Sequence, residues 1–191
     1  MTKGRMEAFT DGVIAVAITI MVLDMKVPAR ADLASLAAVA PTFLVYVLAY
    51  VNVAIFWNNH HHMLHASEHV DGRVLWANLF LLFWITLVPF ALRWINESSV
   101  AALPTASYGV VLLMSAFGYQ ALERGLIAVN GPQSKLAIAI GADWKETGSM
   151  LAYVAGVALA FVNPWISIAI YVAVAVIWFV PDRRIESGLK A

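Results

Sequence analysis

In a chain of 191 residues, 62% hydrophobic side chains against only 13% charged ones is more apolar surface than a soluble core of that size can hide, so lipid is the expected solvent. The 12 Lys+Arg balance the 12 Asp+Glu, which leaves no basic footprint for a nucleic acid. With no cysteine, disulfides, thiol catalysis and thiolate-held metals are excluded as well.

Crossing the apolar core of a bilayer takes about 20 residues of helix. The first span is expected at 6–25. Lys3 and Arg5 precede it and Ala15-Val16-Ala17 resembles a small-residue cleavage site, but the apolar run continues to Leu23. Glu7 and Asp11 also stand where a signal core would begin, so the segment is expected to remain in the mature protein. A second span is expected at 33–58, followed by a polar connection at 59–73 that holds all 5 histidines. The third is placed at 74–94 and the fourth at 104–122. Next comes a connection at 123–146, where Asn130-Gly131-Pro132-Gln133-Ser134 is a turn signal and 125–141 reads as a partly helical surface segment. The fifth and sixth spans, 147–162 and 165–180, are separated by Asn163-Pro164, which predicts a tight hairpin with proline at the start of the final helix.

The fold class is therefore all-α, a polytopic membrane protein of six transmembrane helices forming a single domain over 1–191. No internal repeat is visible. Lys3, Arg5, Arg73, Arg124, Lys135, Lys145, Arg183, Arg184 and Lys190 fall on one side, leaving Lys26, Arg30 and Arg93 on the other. Cations are retained in the cytoplasm, so both termini are expected there, in a multi-pass protein of the cell membrane.

Chemistry must be sought among polar groups at membrane depth, where each is costly. Arg5 and Glu7 suit the headgroup layer. Asp11 lies deeper and is too short to snorkel, so it is expected to be buried with partners. Candidates are Arg5, Thr10, Trp57, His60 and Asn78, all at a similar depth given the alternation of the spans. His61, His65 and His69 recur every four residues, a spacing that suits a zinc or nickel surface on one helix face. The alternatives are a solvated helix end or a pH-sensitive element.

The string Arg5-x-x-x-Phe9-Thr10-Asp11 resembles the signature of the transmembrane protein 175 family of potassium channels. Trp57-x-x-His60, Asn78 and Pro89-Phe90 follow in the family's order. Thr10 stands where the family usually has serine, which preserves the hydroxyl. The resemblance implies a homotetramer in lipid that passes monovalent cations with preference for K⁺, needing no cofactor and catalysing no reaction. It implies a pore lined by the first helix, with apolar rings in place of a carbonyl filter; no Thr-Val-Gly-Tyr-Gly loop is present. Positions matching the family's pore-facing residues are Val16, Thr19, Ile20 and Leu23. Val16 is smaller than the aliphatic that the pattern implies. The structural polar cluster would be Arg5, Phe9, Thr10, Asp11, Trp57, His60 and Asn78.

Helical geometry agrees with this assignment. At about 100° per residue the four pore positions share one arc and Asp11 points away from it. Without the resemblance, such a stripe is ordinary lipid-facing or helix-packing surface. The Thr19 hydroxyl could replace ion hydration or bond back to its own helix. The competing function is a secondary transporter or metal-ion exporter built on the His60–His69 cluster. It calls for inverted repeats, broken helices and paired midplane carboxylates, and none is visible in the sequence.

Overall fold

The computed structural model describes residues 2–23, 25–140 and 144–179, and these are helical apart from short connections. Helix α1 is Lys3–Leu23, α2 is Leu33–Ala38 and α3 is Ala40–His65; α4 is Gly72–Thr86, α5 is Val88–Glu97 and α6 is Ala102–Asn130. The chain continues through α7, Lys135–Ile140, to α8, Trp144–Leu159, and α9, Pro164–Phe179. Asp24, Gly141, Val180 and the C-terminal cations Arg183, Arg184 and Lys190 lie outside the described residues.

Lipid offers no partner to a backbone amide, so apolar chain in it must be helical. Among the described residues, four stretches are long and apolar enough to cross: Lys3–Leu23, Ala40–His65, Gly72–Glu97 and Ala102–Asn130. The third is α4 and α5 together, bent at Leu87 where Pro89 in the first turn of α5 withholds an N–H. The shorter α8 and α9, 16 residues each, form the hairpin at Asn163-Pro164, whose turn is closed by the Trp165 N–H donating to Asn163 Oδ1 at 3.0 Å.

Three boundaries differ from the sequence expectation, for two reasons. The second span does not begin at Leu33. The chain breaks at Val39, ahead of Pro41 in the first turn of α3, and the helix then runs on to His65. The fourth also runs past Leu122, to Asn130. In both, polar residues that look like the start of a loop are buried against neighbouring helices: Asn59 and His60 in α3, Gln120 and Glu123 in α6.

Helix α6 is the axis of the bundle, packed on α4, α5, α8 and α9, whereas α1 stands at the edge against α3 and α4. The α4–α6 contact is close because Gly118 has no side chain: a Cβ there would lie 3.0 Å from the Leu81 Cα. Leu81, Leu112, Leu122 and Leu126 are buried in this central layer. Gly109 of α6 and Gly156 of α8 likewise make room for the ring of Tyr171 on α9.

Asp71 caps α4, its Oδ1 accepting from the Val74 N–H at 2.9 Å. Asn130 pins the preceding connection to the end of α6. Its Oδ1 accepts from the N–H groups of Glu68 and His69 at 3.0 and 2.9 Å, and its Nδ2 donates to the His69 carbonyl at 3.0 Å.

Candidate functional site

Helix α1 has two faces of different chemistry. Inward, Met6, Thr10, Ile14 and Met21 are buried against α3 and α4. Outward, Val16, Ile20 and Leu23 are exposed at 56%, 54% and 81%, and Thr19 is exposed between them. No ionisable side chain occurs from Gly12 to Leu23. The Thr19 hydroxyl bonds back to its own helix, 2.9 Å from the Ala15 carbonyl and 3.0 Å from that of Val16. That removes its donor from the outer face and leaves a lone pair there.

The N-terminal half of α1 is tied down by polar contacts on the other side. Asn78 Nδ2 donates to Thr10 Oγ1 at 2.9 Å, and Asn78 Oδ1 lies 2.8 Å from His60 Nε2. Since the Asn78 amide nitrogen is the donor to Thr10, its oxygen is the acceptor, which puts the histidine proton on Nε2. Thr10, Asn78 and His60 are all buried, so the chain of bonds runs through a dry interior where an unmade bond would be costly.

A second row runs along the edge of this contact. Lys3, Glu7 and Asp11 recur every four residues, and their partners descend the adjacent chain in antiparallel order. Lys3 Nζ donates to the Ser67 carbonyl at 2.7 Å, Glu7 Oε1 lies 3.5 Å from His61 Nδ1, and Trp57 Nε1 donates to Asp11 Oδ1 at 2.8 Å. The His61 ring stacks between Trp57 and His65, with centroids 5.8 and 6.1 Å away. Lys3 and Ser67 were not among the site residues expected from the sequence; the four-residue spacing of Lys3, Glu7 and Asp11 is the signal that would have found Lys3. Trp57→Phe, which removes the indole donor and part of the ring stacked on His61, is expected to lower the thermal unfolding midpoint by about 2–4 °C, equivalent to about 1 kcal/mol.

Three expectations are corrected. Asp11 is not buried in the single chain; it is exposed at the edge of the contact. Arg5 is not its partner. The two residues are six apart on one helix, about 120° around its axis, and the exposed Arg5 makes no side-chain hydrogen bond or ion pair among the described residues. His69 does not continue the face of His61 and His65, because α3 ends at His65 and His69 belongs to the connection held by Asn130. Among the described residues no group of three or more His, Cys, Asp or Glu is placed to hold a metal ion.

Phe9, half exposed, lies on the outer face beside a groove of about 1060 Å³ between α1 and α5. Val16 and Ile20 line it with Pro89, Phe90 and Trp94, and Arg93 and Glu97 close one end with an ion pair of 2.8 Å. The outward stripe of α1 and this groove form one apolar surface.

Three comparisons bear on this arrangement. The profile described as "Endosomal/lysosomal potassium channel TMEM175" matches residues 5–89, the part of the chain that holds α1, the Asp11 and Asn78 contacts and Pro89. A potassium channel of Chryseobacterium sp. (strain P1-3) is 50% identical over 190 residues, covering 100% of this chain and 99% of that one. A potassium channel of Streptomyces collinus is 34% identical over 129 residues, 63% of this chain and 62% of its own. Among solved structures, the crystal structure of a lysosomal potassium-selective channel TMEM175 homolog from Chamaesiphon minutus superposes with a TM-score of 0.80 at 25% identity, covering 94% of this chain and 97% of that one.

Proposed function

This chain belongs to the TMEM175 family of potassium channels, and we propose that it passes K⁺ down its gradient through a pore lined by α1 in a homotetramer. It is a multi-pass membrane protein; the balance of Lys and Arg puts both termini in the cytoplasm, and the cell membrane is the location we assign. The observation that carries the reading is the outward face of α1, exposed and free of charge from Gly12 to Leu23, on a helix whose opposite face is anchored.

Four such helices around an axis turn Val16, Ile20 and Leu23 into apolar rings. A ring of this kind passes only ions that shed water readily, and K⁺ holds its hydration shell less tightly than Na⁺. The remaining lone pair of Thr19 supplies an oxygen between the rings. The groove beside α5 takes the neighbouring subunit. Thr10, Asp11, Trp57, His60 and Asn78 hold the rotation of α1, so that Val16, Ile20 and Leu23 face the axis; Arg5 and Phe9 remain on the surface that the neighbour covers. The domain is single, over 1–191, and permeation requires neither cofactor nor catalytic residue.

Purified protein in liposomes tests this. K⁺-driven flux is expected to exceed Na⁺-driven flux, and Leu23→Asn is expected to reduce that preference several-fold, by up to about 1.4 kcal/mol for a tenfold loss. An unchanged ratio in both Leu23→Asn and Val16→Asn would remove the rings from the conduction path. Absence of flux in either gradient, from folded protein, would favour a transporter that needs a second substrate.

A further inference from the structure

Helices α4 and α6 run antiparallel, and the seam between them repeats after seven residues. At one level Gly118 of α6 meets Leu81 of α4; two turns on, Gly125 meets Val74, where a Cβ on the glycine would lie 3.4 Å from Val74 Cγ2. The residue just before each of these four is turned about 100° from the contact, and because the helices are antiparallel both members of a level leave the seam on the same side. At the first level they are Phe80 and Phe117, whose rings meet edge to face with centroids 6.0 Å apart. At the second level they are Arg73 and Arg124.

The two arginines therefore emerge side by side over the seam, one from each helix. Both are exposed, and neither makes a side-chain hydrogen bond or ion pair among the described residues. The nearest carboxylate along the chain, Asp71, is turned to the Val74 N–H as the cap of α4. Two guanidiniums held together repel each other, and Arg73 stands second in α4, where the free N–H groups of the helix start already favour negative charge. The position calls for an anion beyond the capping carboxylate.

What lies deeper selects the kind of anion. Two turns of helix are about 10 Å, so the rings of Phe80 and Phe117 continue the same side of the seam into the apolar layer, with Phe117 half exposed. Trp76, three residues from Arg73 and 75% exposed, stands at the level between, where indole rings settle at the boundary of headgroups and acyl chains. A guanidinium makes paired bonds to phosphate oxygens, and an apolar track that begins below it suits a chain joined covalently to that phosphate. A free phosphate would use only the first of these features.

We propose that Arg73 and Arg124 bind the phosphate of an anionic phospholipid whose acyl chain lies along Phe80 and Phe117. Arg73 is about 140° around α4 from Asn78, so the site is separate from the contacts that hold α1 and from its outward face. The bound lipid bridges the N-terminal end of α4 to α6 and steadies the helix that carries Asn78. The site does not depend on whether α1 lines a pore.

The test is thermal unfolding of the full chain in mild detergent, titrated at constant ionic strength with phosphatidylglycerol, phosphatidylcholine or inorganic phosphate. Saturating phosphatidylglycerol is expected to raise the wild-type midpoint by about 3–5 °C, phosphatidylcholine by less and inorganic phosphate not at all. Arg73→Gln and Arg124→Gln are each expected to raise the phosphatidylglycerol concentration for half the effect about fivefold, and together to remove the effect. Both side chains are exposed, so these variants should unfold near the wild-type temperature in detergent alone. Lys135→Gln, an equal loss of charge from an exposed residue elsewhere, is expected to respond as the wild type does. No rise with phosphatidylglycerol overturns the site, as does an undiminished rise in the double variant or an equal loss of response in Lys135→Gln. An equal rise with phosphatidylcholine overturns the requirement for an anionic lipid, and an equal rise with inorganic phosphate overturns the lipid as the source of the phosphate.

Discussion

Replacing Asn78 by leucine is expected to cut the yield of folded protein sharply and to destabilise what folds by about 2–4 kcal/mol. Leucine occupies a similar volume, so lost packing contributes little. The cost arises because one amide serves two buried partners: its Nδ2 donates to Thr10 and its oxygen accepts from His60, which are 0% and 3% exposed. Each orphaned group forfeits about 1–3 kcal/mol. Chains unfolded within lipid find other partners for such groups, which keeps the sum below the upper limit. The same argument predicts recovery. Thr10→Val added to Asn78→Leu leaves only His60 orphaned, and His60→Leu added to both leaves none, so the unfolding midpoint should climb at each step. A steady fall across the series would show that these bonds are not what holds α1. On the proposal that they also set the rotation of α1, the single variant should lose K⁺ preference in whatever fraction still assembles.

Gly109→Ala is the second change with a large expected effect, about 2–3 kcal/mol, because the new methyl has no space. A Cβ at this position would overlap Tyr171 Oη and lie 2.7 Å from Tyr171 Cζ and 2.8 Å from Val157 Cγ2. Gly156→Ala would press instead on the edge of the same ring, at Tyr171 Cε1. The difference yields a discriminating pair. Tyr171→Phe deletes only the hydroxyl, which is buried and makes no hydrogen bond among the described residues, so alone it is expected to be neutral or slightly stabilising. Combined with Gly109→Ala it should recover much of the lost midpoint; combined with Gly156→Ala it should recover little. Equal recovery in both would mean that the ring, not its hydroxyl, limits the approach of α6 to α9.

Much of the membrane architecture was legible because it depends on composition over short windows. The first span lies close to its expected place, and the Asn163-Pro164 hairpin is present, since each is signalled by residues adjacent in sequence. The start of α3 was misplaced because apolar content is continuous across Val39 while the break is set by one proline. Its end was misplaced because Asn59 and His60 look like loop residues until their partners are seen. Thr10, Asp11, Trp57, His60 and Asn78 stood out as polar groups rare at membrane depth. Arg5 stood out equally, and helical phase puts it on another side of α1.

By itself the sequence determined the solvent, the all-helical class, the charge-free run of α1 and the residues that had to find polar partners. These follow from the cost of polar groups in lipid and from a fixed 100° step per residue, both local properties. Only the tertiary structure decided which partner each group took: Ser67 for Lys3, His61 for Glu7, Trp57 for Asp11, Asn78 for Thr10. It also brought Asn52 and Asn59 of α3 and Glu146 of α8, distant in the chain, around one cavity. Such pairings depend on the register and rotation of helices remote in the chain. These are set by features such as Gly118 against Leu81 and Tyr171 between two glycines, whose meaning appears only once the helices touch.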